Sequence, residues 1–367
     1  MILVKSLISK LNKLKIDFFT GVPDSILKDF SKFIGNYGFK NHIVAVNEGS
    51  AVSIGIGYYL SKKKIPCIYF QNSGLGNAIN PLISIASKEV YSIPLLLMIG
   101  WRGSPRFSDE PQHKAKGRIT ISILKLLKIE YCILRSNKDL NKLTKLINKA
   151  RRNKTIVACL LEKKTLFHKS KVNLREKRKF LSRSEFIEFF LKLIPPKSKI
   201  ISTTGYTSRE LFELRKKLKV NRGSDFYMVG GMGHSSSVAL GYINKSSKKI
   251  FCLDGDGSLL MHLGATRTIG VTKEKGFKHI LLNNNSHESV GAQPTYAAGV
   301  NFKDLSKSIG YKNYFQISKK VGILKKIKKF ISAKGPSLLE VKIRNGSLKN
   351  LSRPKNLVKI KNKFMNN

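Results

Sequence analysis

The chain has 367 residues, 41% of them hydrophobic, which excludes a wholly disordered polymer and leaves room for two domains of ordinary size. Its 69 Lys and Arg against 22 Asp and Glu give a formal net charge of +47, which taken alone points to a polyanion partner. The lysines are scattered over almost every expected helix face and loop, however, and the densest stretches, Lys163 to Lys179 and Lys355 to Lys363, hold few aromatics that could stack on bases. The charge therefore reads as solvated surface, and nucleic acid is disfavoured as a partner. Cys67, Cys132, Cys159 and Cys252 are widely spaced in apolar runs and read as reduced core residues. No continuous signal-peptide core and no uncharged membrane-length segment is present, so a cytoplasmic enzyme is the expectation.

Short apolar runs alternate with longer amphipathic ones, the α/β pattern of a mainly parallel sheet flanked by helices. In chain order the first half predicts a helix over Ser25–Ile34, a strand over His42–Val46, a helix over Ala51–Leu60, and strands over Ile65–Phe70, Ile93–Ile99, Tyr131–Leu134 and Ile156–Leu161. These make a first domain over residues 1–165. Residues 166–183 lose apolar periodicity and read as a basic linker, followed by a helix over Ser184–Leu193 that stops before Pro195-Pro196. Strands over Lys199–Ser202, Phe226–Val229, Ile250–Leu253, Ile280–Leu282 and Leu338–Val341 then give a second domain over residues 184–344. The basic tail, 345–367, is expected to be peripheral.

The most informative stretch is Phe251-Cys252-Leu253-Asp254-Gly255-Asp256-Gly257-Ser258, an apolar strand running into Gly-Asp-Gly and then a helix. Glycines let backbone approach a ligand closely, and a helix start offers free N–H groups to a phosphate. A carboxylate in that turn would repel phosphate unless a cation lay between them, so Asp256 reads as a Mg²⁺ ligand. The strand Ile280-Leu281-Leu282 ends in Asn283-Asn284-Asn285 at the same sheet edge, where an Asn oxygen and a neighbouring backbone carbonyl could complete an octahedron.

Gly-Asp-Gly followed 28 positions after its aspartate by the second Asn of a pair resembles the signature of the thiamine-diphosphate enzymes. The resemblance implies thiamine diphosphate and Mg²⁺ as cofactors, with Asp256, Asn284 and the Ser286 main-chain oxygen on the metal. It also implies Gly255, Gly257, Ser258, Gly231 and Met232 against the cofactor, Met232 as an apolar wedge. Glu48, at a strand end before a small-residue helix, would be the carboxylate that partners the cofactor's pyrimidine. A glutamate there also suits the positive end of a helix. In this light 1–165 is a pyrimidine-binding domain and 184–344 a diphosphate-binding domain. The family places its cofactor between subunits, which implies at least a homodimer.

The two-domain layout and the segments Thr20-Gly21-Val22-Pro23-Asp24-Ser25, Gln71-Asn72-Ser73-Gly74-Leu75-Gly76-Asn77, Asp109-Glu110-Pro111-Gln112-His113 and His287-Glu288-Ser289-Val290-Gly291 resemble the 2-oxo acid decarboxylases of that family. Phosphonopyruvate decarboxylases come first and sulfopyruvate decarboxylases are the alternative, so a small anionic 2-oxo acid is the expected substrate. His113 is a candidate proton handler, since imidazole titrates nearest neutrality. Asp24 either assists it or caps the following helix. His287 and Glu288 follow the metal-binding Asn run and are expected to face the cofactor. Ser25, Arg102 and Arg209 are candidate contacts for the substrate's second anionic group. Asn285, Ala292 and Gly231 depart from the residues usual in the family.

Overall fold

A computed structural model of the chain describes residues 1–168, 180–218, 224–244 and 249–366. Two compact units divide it, Met1–Val172 with Ser289–Gln293, and Asn173–Glu288 with Pro294–Asn367. Most of the expected linker, residues 169–179, lies outside the described residues.

The strands of the first unit are β1 (Ile2–Leu3), β2 (Phe19–Gly21), β3 (His42–Val44), β4 (Cys67–Gln71), β5 (Leu96–Gly100), β6 (Glu130–Leu134), β7 (Val157–Leu161) and β8 (Leu166–Phe167). Six form one sheet in the order β3-β2-β4-β5-β7-β6, parallel at every pairing. β5 and β7 are buried along their whole length, which is why they read as unbroken apolar runs. β2 was not expected; it is three residues long, too short to leave a pattern. β8 pairs with β1, so ordered sheet continues past residue 165. In a parallel sheet all the carboxyl ends face one edge. Here that edge gathers Asp24 after β2, Glu48 after β3, Asn72 to Gly74 after β4 and Arg102 after β5.

The second unit carries β9 (Lys199–Ser202), β10 (Ser224–Tyr227), β11 (Ile250–Gly255), β12 (Phe277–Asn283), β13 (Asn313–Ile317) and β14 (Ser337–Lys342), in the order β10-β9-β11-β12-β14-β13 and again all parallel. Two apolar layers cover its faces, one around Phe186, Phe190, Phe251 and Phe330, the other around Ala239, Ile269, Phe277 and Phe302. β11 delivers Asp256 and β12 delivers Asn284 to the carboxyl edge. The helix Arg183–Leu193 starts on a capping box, Ser182 Oγ accepting from Glu185 N while Glu185 accepts from Ser182 N, and stops at Ile194 before the prolines.

The tail differs from expectation. Leu357–Asn366 is a helix whose Phe364 is buried against Phe226 and Tyr242. Lys199 Nζ sits 4.9 Å from the Phe364 ring and 5.1 Å from that of Tyr242, and donates to the Phe364 carbonyl. The lysines of the tail hid this anchor because one aromatic in a charged segment gives no periodic signal. Among the described residues no helix is long and apolar enough to cross a membrane, and the four cysteines are free thiols.

Candidate active site

In the first unit the site is built on a helix start. Asn47 Oδ1 accepts from Ser50 N at 2.8 Å and fixes the first turn of the helix Glu48–Lys62. Glu48 is thereby buried at the sheet edge, only 6% exposed. Its Oε2 accepts from Asn77 Nδ2 at 2.9 Å, and a methyl group at Gly74 would stand 2.3 Å from Oε1, so Gly74 exists to let this carboxylate in. Burial lowers the pKa of nearby Lys116, with the charge of Glu48 opposing. A buried carboxylate held this rigidly fits a hydrogen-bonding partner such as a pyrimidine nitrogen.

Asp24, Ser25 and Arg102 are brought together. Asp24 Oδ2 accepts from Ile26 N and Leu27 N at 3.0 and 3.1 Å, so its helix-capping role is realised. Burial nevertheless pushes its carboxyl up to about 6, against those two N–H groups and the charge of Arg102. Arg102 Nη1 donates to Ser25 Oγ at 3.1 Å, but its fork is engaged by Asp109, with Nε to Oδ2 at 2.7 Å and Nη2 to Oδ1 at 2.5 Å. Burial raises the Asp109 carboxyl, yet Arg102 and the N–H groups of Glu110 and Gly103 outweigh it and hold the group well below the usual carboxylate range. Arg102, expected as an anion clamp, therefore fastens the 102–110 loop. His113 lies in the first turn of the helix Pro111–Leu126 beside that loop, its carbonyl packed on Gly103.

In the second unit Asp256 is 3% exposed at the start of a short helix. It accepts from the Thr295 hydroxyl. Burial pushes its carboxyl up to about 6, opposed by Thr295 and by the N–H groups of Asp256, Gly257 and Asn284, which places Asn284 directly beside it. Asn284 Oδ1 accepts from Ser286 N at 3.2 Å, and Ser286 Oγ is buried without a partner among the described residues. These donors fit a divalent cation: a buried carboxylate whose charge is poorly solvated, a carboxamide oxygen and an unsatisfied turn beside it. His287 closes over them, a methyl at Gly257 lying 2.7 Å from its Cε1, and burial pushes its imidazole down to about 4.

Ser258 Oγ accepts from Gly233 N at 3.0 Å and is 2.9 Å from Thr203 Oγ1, so the Gly231–Gly233 segment with half-buried Met232 adjoins the same turn, while the backbone at Gly255 is open. Gly231 and Gly233 have φ of +65° and +87°, which glycine adopts without strain. Arg209 lies with its guanidinium 5.9 Å from the ring of Tyr206. Glu288, expected to face the cofactor, is instead paired with Arg183 at 2.6 Å. Thr295 and Asn77, both contacts of the central carboxylates, were not singled out. Asn77 closes a segment the sequence had marked, whereas Thr295 carries no local signal.

Comparison with known proteins follows the same division. Residues 1–122 match the family described as thiamine pyrophosphate enzyme, N-terminal TPP binding domain, and residues 204–341 match thiamine pyrophosphate enzyme, C-terminal TPP binding domain. A phosphonopyruvate decarboxylase of Streptomyces viridochromogenes is 29% identical over 372 residues, covering 97% of this chain and 92% of that protein. A sulfopyruvate decarboxylase of Methanosarcina acetivorans is 28% identical, covering 83% of this chain and 82% of that one. The sulfopyruvate decarboxylase subunit beta of Methanococcus maripaludis is 30% identical over 190 residues, 51% of this chain and 97% of its own. The chain belongs to the thiamine-diphosphate-dependent decarboxylase family, a carboxy-lyase with thiamine diphosphate as cofactor and with Mg²⁺ typical of the family.

Proposed function

We propose that the protein decarboxylates 3-phosphonopyruvate to phosphonoacetaldehyde and carbon dioxide, a step of phosphonate biosynthesis. The observation that carries this reading is the similarity to a phosphonopyruvate decarboxylase across 97% of the chain, both domains included. Sulfopyruvate is the second reading, supported by a single-chain relative of that name over 83% of the chain.

When bound, thiamine diphosphate supplies a nucleophilic carbon and an electron sink for the carboxylate that leaves. Asp256, Asn284 and the Ser286 carbonyl would hold the Mg²⁺, with Gly255, Gly257 and Ser258 lining the diphosphate and Met232 and Gly231 supporting the thiazolium. Glu48, fixed by Asn77, would hold a proton at the pyrimidine nitrogen. His113 would return a proton to carbon after carbon dioxide departs, and burial, which disfavours the charged form of His287, would leave that imidazole neutral near pH 7 as a hydrogen-bonding group in the site. Ser25 with Arg102 behind it, and Arg209, would bind the phosphonate. The reading carries with it at least a homodimer and a cytoplasmic location; two of the relatives are named as alpha and beta subunits.

Purified protein with thiamine diphosphate and Mg²⁺ should release carbon dioxide from 3-phosphonopyruvate with kcat/KM at least about 100-fold above that for pyruvate, the size of effect one well-placed charged contact supplies. A higher kcat/KM for sulfopyruvate moves the assignment to the second reading, and preference for pyruvate overturns both.

A further inference from the structure

Glu288 adjoins the candidate metal ligand Asn284 at the nitrogen end of its carboxamide. Its Oε2 accepts from Arg183 Nη2 at 2.6 Å and from Asn284 Nδ2 at 3.3 Å, and its Oε1 accepts from the Gly346 N–H. Arg183 is 5% exposed and extends Nη1 to Glu210 Oε1 at 3.5 Å, and that oxygen also accepts from Leu348 N at 3.0 Å. Charges buried together in this way add little to folding stability, because desolvation offsets most of their attraction, so a reason for the network is to be sought in what it orients.

The carboxamide beside it supplies that reason. The two ends of an Asn side chain have nearly one shape, but only the oxygen ligates a hard cation. An acceptor-only group at the nitrogen end decides which end faces the ion. A carboxylate offers only acceptors, and the Arg183 fork holds that of Glu288 in place. We propose that Arg183 and Glu288 are positioning residues for the divalent ion, their ion pair orienting the Asn284 carboxamide so that its oxygen is presented as a ligand. The inference rests on the reading of Asp256 and Asn284 as metal ligands, and it assigns Glu288 no part in proton transfer.

The test uses the purified full chain and reads thiamine diphosphate binding by calorimetry as Mg²⁺ is raised. Glu288→Gln should raise the Mg²⁺ concentration for half-maximal binding about 10-fold or more, the loss seen when an outer partner of a metal ligand is removed, while binding at saturating Mg²⁺ stays within about 3-fold. Glu288→Asp serves if the Gln variant does not fold. In an Asn284→Asp background the effect of Glu288→Gln should vanish or reverse, because both ends of a carboxylate ligate and Glu288 would repel it. An unchanged Mg²⁺ requirement with a lower kcat makes Glu288 a reacting group and overturns the proposal, as does an unchanged requirement with only a lower melting temperature. If Asp256→Ala leaves the Mg²⁺ requirement intact, the metal reading itself fails, and that outcome is distinct from failure of the positioning role.

Discussion

Two buried carboxylates of the first unit, Glu48 and Asp24, show how much of a site depends on neighbours that have no chemistry. Gly74 has no functional group, yet any side chain there would occupy the position of Glu48 Oε1. Gly74→Ala should therefore leave the far-ultraviolet circular dichroism intact and cut decarboxylation by roughly 100-fold, the usual result of displacing a catalytic group by about 1 Å. Normal turnover in that variant would show that Glu48 tolerates movement and is no positioning-sensitive group. Asp24 is buried with a carboxyl pushed up to about 6. Its folded value lies above its unfolded one, so the stability it contributes is complete below about pH 4 and is lost as pH rises through 6. Asp24→Asn should accordingly stabilise the fold at pH 8, by up to about 3 kcal/mol from the size of the shift, and hardly at all at pH 4. Paired urea titrations of the two proteins at those pH values measure it.

Helix ends and edge strands were the parts hardest to foresee. The helix expected from Ala51 begins at Glu48, because Asn47 caps it and small residues give the first turn no apolar stripe. β13 was missed since it is a sheet edge, half-exposed over Asn313 to Phe315, and its pattern is diluted accordingly. Buried central strands such as β7 and β11 were legible almost to the residue, for a strand covered on both faces has no choice but to be apolar. The candidate site followed the same logic. Asp256 and Asn284 could be read because each closes such a strand, whereas Thr295 and Arg183 reach the site from distant segments. Removal of the Ser182 cap by Ser182→Ala should cost about 1 kcal/mol in urea unfolding. Phe364→Ala should cost about 3 kcal/mol, as for other buried phenylalanines; a change below about 0.5 kcal/mol would mean that the C-terminal helix is not held by its aromatic contacts in solution.

Charge acts on the molecule as a whole. With a net charge of +47, long-range attraction should accelerate the capture of a doubly anionic substrate more than that of a singly charged one. kcat/KM for 3-phosphonopyruvate should fall more steeply between 20 and 300 mM salt, roughly the range over which screening takes hold, than kcat/KM for pyruvate; parallel salt profiles would rule out steering. The two domains themselves were evident from the alternation of short apolar and long amphipathic runs, while the anchoring of the tail was not, because it hangs on a single aromatic. Every neighbouring pair in both six-stranded sheets is parallel. Among the described residues no two strands of either sheet are joined by a tight hairpin, and each pairing must wait for the intervening chain to cross over. Newly made chains will expose unpaired apolar strands for longer than a meander of the same size would, so recovery from denaturant should fall with protein concentration and improve at low temperature or with a holding chaperone.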